Sequence, residues 1–373
     1  MHLLEYFQEL APRNDLYRDR KLRLPEDVSF LLAGARGTGK TALVLEYLST
    51  LPEDIWLYID CQDPIFALED IDSDILESFI KEEEIETVVL DHYYEGFLEH
   101  LPRCFQLIIV SRETPLSITL PVYTLYPLDY EEFLSFDRGS SPSSSFNRFL
   151  KAGTLPVVTD INLLSLSQQM RSFFYSSFDE DESRLMLILA RYQGHRVTTH
   201  QLYNYAKEYF RISKDWVYRT IKRFTQEGLI LFVKDTQSKG AQKMILYDFA
   251  LSKYLSKSQP FPITFDAIVV LALFKHKIPF HALGIHGYLI HSGELIIPSA
   301  FENEESFWQK SYNKIHLYQK HAITKITIVT VSNQYSFTLN GIVFEAMPFY
   351  EWSILNEEPE EEKRLKQYQS DRP

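Results

Sequence analysis

The sequence predicts an α/β protein whose first third folds around a parallel sheet, and three observations carry that expectation. Short apolar runs alternate there with helical segments, the runs show almost no polar alternation, and the first of them leads directly into a glycine-rich loop that opens a helix. Alternating strands and helices are the pattern of βαβ units. Strands without polar alternation are buried on both faces, as in parallel sheets covered by helices. The expected strands span 28–33, 55–60, 87–91, 106–111 and 122–126, after an amphipathic stretch carrying Leu3, Leu4, Tyr6, Phe7 and Leu10.

The glycine-rich loop reads Gly34-Ala35-Arg36-Gly37-Thr38-Gly39-Lys40-Thr41. Its spacing wraps backbone N–H groups around a β-phosphate, with glycines where side chains would block the approach. Lys40 adds a point charge on the β and γ oxygens, Thr41 offers its hydroxyl to Mg²⁺, and the helix that begins near Gly39 points its positive end at the phosphates. The ligand indicated is Mg²⁺-ATP. The loop also needs an acid at the end of a second strand to hold Mg²⁺ through water, and Asp91 ends Thr87-Val88-Val89-Leu90-Asp91.

Related ATPases usually place a glutamate after that acid to polarise the attacking water, but here the residue is His92. Imidazole lacks the fixed negative charge, so hydrolysis is left open, with Glu95 as the candidate substitute. Ser111, which ends Leu107-Ile108-Ile109-Val110-Ser111, is the candidate sensor of the γ-phosphate. Lys40, Asp91, Glu95 and Ser111 thus form the candidate catalytic set. Arg36 and Arg112 could touch phosphate, although the simpler expectation for each is a solvated charge.

A chain of 373 residues exceeds one hydrophobic core. With 45% hydrophobic and 24% charged residues, neither a disordered nor a fibrous class is indicated. Two cysteines, Cys61 and Cys104, make no disulfide framework, and the longest strongly apolar run, 267–274, falls far short of a bilayer span. These features point to a cytoplasmic protein with no membrane partner. The net charge is −13, yet residues 184–257 carry 14 Lys/Arg against 5 Asp/Glu, a basic segment in an acidic chain.

The Gly/Ser stretch 139–145 is the most linker-like in the sequence, with Pro142 interrupting any helix. The expected organisation is an ATPase core over 1–138, a helical lid over 146–180, a winged-helix domain over 181–257, and a small α+β domain with an acidic tail over 258–373. The acidic run 179–182 reads as a solvated helix start. Within the basic segment, helices over 182–193, 199–210 and 213–227 precede a β-ribbon over 229–234 and 243–247, with Ser213 as an N-cap and Gly228 after the last helix. Lys214, Arg219, Lys222, Arg223 and Lys239 are the candidate contacts to DNA phosphates, with packing as a lid or protein-interaction module the equal alternative. Further on, a helix over 265–276, strands near 287–291 and 294–298, a single long helix over 305–321 and a strand over 325–331 are expected.

The order of these parts resembles a bacterial and archaeal group of AAA-type P-loop ATPases of unknown role, in which a winged helix and a nuclease-like domain follow the ATPase core. The likeness is carried by 32–43, 88–91, 108–111, Leu125-Tyr126-Pro127-Leu128-Asp129-Tyr130-Glu131-Glu132-Phe133-Leu134, and Gly153-Thr154-Leu155-Pro156. The resemblance implies a nuclease site with an Asp and a Glu-x-Lys, but the aligned positions hold Gly287, Ala300 and Glu302, so that module is expected to be non-catalytic. It also implies an arginine finger, for which no residue could be assigned; a finger supplied by another copy would make the chain a homo-oligomer. The leading expectation is an AAA-type ATPase or ATP-dependent switch coupled to the winged helix. The rival is a non-hydrolysing ATP-binding scaffold or DNA-binding regulator with a protein partner.

Overall fold

The computed structural model describes residues 2–9, 18–115, 117–137, 141–159, 165–237, 240–256, 259–290 and 293–355. Helix α1 (His2–Glu9) precedes a sheet of β1 (Phe30–Ala33), β2 (Trp56–Asp60), β3 (Thr87–Asp91), β4 (Gln106–Ser111) and β5 (Val122–Thr124), with α2 (Lys40–Ser49) and α3 (Ser73–Glu82) between the first three strands. The strand order is β2-β3-β4-β1-β5, and every pairing is parallel. Alternate residues feed two apolar layers. Leu31, Leu57, Val88 and Ile109 pack with Leu4, Phe7 and Phe79 on one face. Leu32, Tyr58, Val89 and Ile108 pack with Leu43, Val44 and Leu48 on the other. Burial of both faces is why these strands lack polar alternation.

Helices α4 (Tyr130–Phe136), α5 (Pro142–Ala152), α6 (Pro156–Thr159) and α7 (Leu166–Ser177) follow. Pro142 does not interrupt a helix. It sits in the first turn of α5, after a capping box formed by Ser141 and Ser144, where its missing N–H costs nothing and its fixed φ suits the helix.

The basic segment contains α8 (Glu180–Arg191), β6 (Arg196–Val197), α9 (Thr199–Tyr209), α10 (Lys214–Gln226), β7 (Ile230–Val233) and β8 (Gln242–Leu246), the strands forming an antiparallel sheet in the order β6-β8-β7. Ser213 caps α10 by accepting from the Trp216 N–H, and Gly228 follows its end at φ 78°. The acidic run does start α8, with Asp179 as N-cap, but Glu182 is buried rather than solvated.

Beyond α11 (Phe249–Leu255) and α12 (Phe261–Lys275) lie β9 (Phe280–Ala282), β10 (Tyr288–Ile290), β11 (Glu294–Pro298), α13 (Glu304–Tyr312), α14 (Ile315–Lys320), β12 (Lys325–Thr330), β13 (Tyr335–Leu339), β14 (Ile342–Pro348) and α15 (Phe349–Leu355). The six strands pair in the order β13-β14-β12-β11-β10-β9, mixed in direction. The single helix expected over 305–321 is broken in two: Asn313 ends α13, and the Lys314 N–H turns back to the Ser311 carbonyl. Asn competes with the backbone for hydrogen bonds and favours such helix ends.

At Gly287, φ is 137° and a Cβ would meet the Ile296 carbonyl oxygen at 2.5 Å, so an aspartate does not fit there. Ala300 is buried, and Glu302 is held by Ser299 and Ser306. Among the described residues no group of three or more His, Cys, Asp or Glu is placed to hold a metal ion, and no helix is long and apolar enough to cross a membrane. Helix α15 packs back onto α4, α5 and α12. Phe349 stands 5.9 Å from Tyr130, 5.7 Å from Phe146, 6.0 Å from Phe149 and 6.5 Å from Phe265, between ring centroids.

Candidate phosphate-binding site

Parallel register sets the site. Ala33 pairs with Ser111, Leu90 with Ile109, and Asp60 with Asp91, so the residues that follow β1, β3 and β4 emerge side by side at the carboxyl edge of the sheet. Ligands of open α/β sheets bind at this edge.

The loop 34–41 crosses it. Gly39 precedes α2 at φ 90° and gives no side-chain cap to the start of the helix. Lys40 is buried, and its Nζ donates to the carbonyls of Gly34 at 2.7 Å and Ala35 at 2.9 Å. Burial pushes its ammonium down to about 8, with nearby Asp91 opposing. The Thr41 hydroxyl donates to Asp91 Oδ2 at 2.6 Å, and the Tyr58 hydroxyl donates to the same oxygen at 2.7 Å. Asp91 is wholly buried, and its Oδ1 accepts the His92 N–H at 2.7 Å. A hydroxyl and a carboxylate meeting beside an ammonium at a helix N-terminus suit a hard divalent cation bound together with phosphate. Thr41 and Asp91 are the residues that would hold it.

Arg36 is not a solvated charge. It is 6% exposed, bonded to Glu182 at 2.6 and 3.0 Å and to Glu227 at 3.3 Å, with its guanidinium 4.8 Å from the centre of the Phe178 ring. Burial works against its charge, and the two carboxylates outweigh burial, raising its pKa. Arg223 completes the cluster by pairing with Glu182 and Glu227. Gly37 adopts φ 76°, and a Cβ there would stand 2.4 Å from the Phe173 ring on α7. Thr38 is buried, its hydroxyl donates to the Ala35 carbonyl, and its own carbonyl accepts from Arg20 at 2.7 Å. The phosphate loop is therefore clasped from outside the sheet by α7, the start of α8 and the end of α10.

His92 adopts φ 53°, a left-handed conformation that His tolerates better than most residues. Its Nδ1 lies 2.8 Å from Asp60 Oδ1, and this hydrogen bond raises the imidazole pKa. Glu95 is exposed and lines a cavity of about 560 Å³ on the far side of His92. Ser111 is buried and donates to the Tyr93 carbonyl at 3.0 Å. The next residue, Arg112, lines both that cavity and an adjoining one of about 640 Å³ shared with Gly39, Lys40, Thr41 and Arg20.

Of the candidate nucleic-acid contacts, Lys214, Arg219 and Lys222 are exposed on α10, whereas Arg223 turns inward to Glu182 and Glu227; Lys239 lies outside the described residues. Sequence reasoning missed Arg20, Asp60, Phe173, Glu182 and Glu227. Only Glu182 carried a local signal, as the fourth member of the capping box that starts at Asp179.

No protein-family model matches this chain, and no curated protein matches it. Among solved structures, the Walker-type ATPase PABY2304 of Pyrococcus abyssi is similar at 14% identity and a TM-score of 0.41, over 61% of this chain and 90% of that one.

Proposed function

We propose that the chain is a Mg²⁺-ATP-binding switch of AAA type, in which the state of the phosphate loop is passed to a winged helix formed by α8–α10 and the sheet β6-β8-β7. The observation that carries this reading is the burial of Arg36, a residue of the loop itself, between Glu182 on α8 and Glu227 at the end of α10. A loop that moves to admit phosphates pulls on both helices. Lys40, Thr41-bound Mg²⁺ and Asp91 would supply positioning and charge stabilisation, and little covalent chemistry is needed from the protein.

Hydrogen exchange on the full chain with and without Mg²⁺-ATP tests the coupling. Protection should change in α8 and α10 as well as in 34–41. A change confined to the loop, or the same change in Lys40→Ala, would sink the proposal.

Lys214, Arg219 and Lys222 lie exposed on α10, which supports DNA binding as the output of the switch. Binding through three phosphate contacts should weaken linearly on a logarithmic salt scale with a slope of about −2.7. A flat salt response would remove DNA from the proposal.

A further inference from the structure

We propose that Arg20 is a positioning residue of the phosphate loop, one that fixes the direction of the Thr38–Gly39 peptide from outside the loop. The proposal rests on the nucleotide-binding reading above and adds which residue sets the shape of the loop for the β-phosphate.

The need for such a residue comes from the loop. Gly39 holds φ 90°, and a Cβ there would meet nothing closer than 3.6 Å, so the backbone conformation rather than lack of room calls for glycine. Glycine populates several backbone regions at similar energy, and Thr38 stands between two glycines, Gly37 and Gly39. Local sterics therefore leave undecided which way the peptide between Thr38 and Gly39 points. In a planar trans peptide the C=O and the N–H point to opposite sides. The Thr38 carbonyl accepts from Arg20 Nη1 at 2.7 Å, which turns the Gly39 N–H away from Arg20. The spacing of the loop assigns that N–H to the phosphate. With the peptide turned over, a carbonyl oxygen would face the phosphate instead and repel it.

The second argument is how firmly Arg20 is held. The residue is 5% exposed, in the segment before β1. Its Nε donates to Glu132 Oε1 at 2.9 Å, and its Nη2 donates to Glu132 Oε2 at 3.3 Å and to the Tyr126 carbonyl at 2.8 Å. Glu132 is fixed in turn. Its N–H donates to Asp129 Oδ1 at 2.7 Å, its Oε2 accepts the Asp129 N–H at 3.2 Å, and its Oε1 accepts the Lys21 N–H at 2.9 Å. Helix α4 and the segment after β5 thus set where the guanidinium stands, which gives the run 125–134 a part in the site. A planar fork suits such a three-way hold, whereas the ammonium of lysine is a point charge. Arg20 borders the cavity beside Gly39 and Lys40, yet these bonds take four of its five N–H donors, so it acts through the loop rather than on the phosphate.

The test is calorimetry and phosphorus NMR of Mg²⁺-ADP with the full-length wild type, Arg20→Lys and Arg20→Gln, each checked for folding by thermal unfolding. Arg20→Lys keeps a charge for Glu132 but loses the fork, and ADP should bind roughly 10-fold more weakly, as expected for loss of a hydrogen bond made by a charged group. The β-phosphate resonance of the bound ADP should move from its wild-type position while the α-phosphate resonance stays, a local signature that a general loss of stability does not produce. Arg20→Gln, which keeps a donor without the charge, should also displace the β-phosphate resonance. An unmoved β-phosphate resonance in a variant that binds ADP, equal movement of both resonances, or failure of both variants to fold would make Arg20 a purely structural residue and overturn the assignment. Wild type that binds no Mg²⁺-ADP would sink the nucleotide-binding reading and the assignment with it.

Discussion

Lys40 carries its charge against burial, and its pKa of about 8 lies below the ordinary lysine value of 10.5. Between those values the unfolded chain binds more protons at this position than the folded one, so folding becomes more favourable as pH rises through that window. Unfolding free energies of wild type and Lys40→Met, measured from pH 7.5 to 10.5, should diverge in favour of wild type as pH increases. A constant difference would mean that Lys40 is not held in this state. His92 shows the limit of reading such a site from sequence. Its identity announced a departure from the usual glutamate, but its partner Asp60 sits 32 residues earlier, at the end of the neighbouring strand. Strand register makes that pair, and no local spacing records it.

At the scale of elements, the contact between the loop and the helical segments behind it is a small buried network. Removing one partner from such a network leaves uncompensated charge, at a cost of about 3–5 kcal/mol. Arg36→Met leaves Glu182 and Glu227 buried with the half-exposed Arg223 as their remaining cationic partner, and urea unfolding should show a loss toward the lower end of that range. Glu227→Gln leaves the Arg36–Glu182 pair intact and should cost clearly less. If both substitutions prove equal, the cluster does not act as a network. The strands β1–β4 were legible because their both-faced burial is written into unbroken apolar runs, and α10 was legible through Ser213 and Gly228 at its ends. The hairpin β13–β14 went unread despite Asn340-Gly341, whose positive φ values at both residues are those of the tight turn that this dipeptide favours. Glu182 was read as solvated for a different reason. An acidic helix start looks the same in sequence whether or not an arginine 146 residues away folds onto it.

At the scale of the molecule, one apolar cluster runs from Ala35 through α4, α5, α8, α10, α12 and α15 to Trp352. Phe349 is fully enclosed near its middle, in contact range of aromatic rings from three other helices. Phe349→Ala should destabilise the fold by about 3–5 kcal/mol, and the loss should appear in the same unfolding transition that reports on the phosphate loop. A separate, earlier transition confined to the last hundred residues would show that the C-terminal segment folds as its own unit. The apolar cluster has members on both sides of residues 138, 180 and 257.

The same enclosure sets an order of events during synthesis. Phe149 leaves the ribosome 200 residues before Phe349. At roughly 5–20 residues per second, that interval lasts about 10–40 s. Throughout it the aromatic faces of α4 and α5 lack their last covering ring, while β1–β5 are already complete and free to close. The nascent chain therefore completes the loop 34–41 and its sheet before the helices that clasp that loop have a settled core.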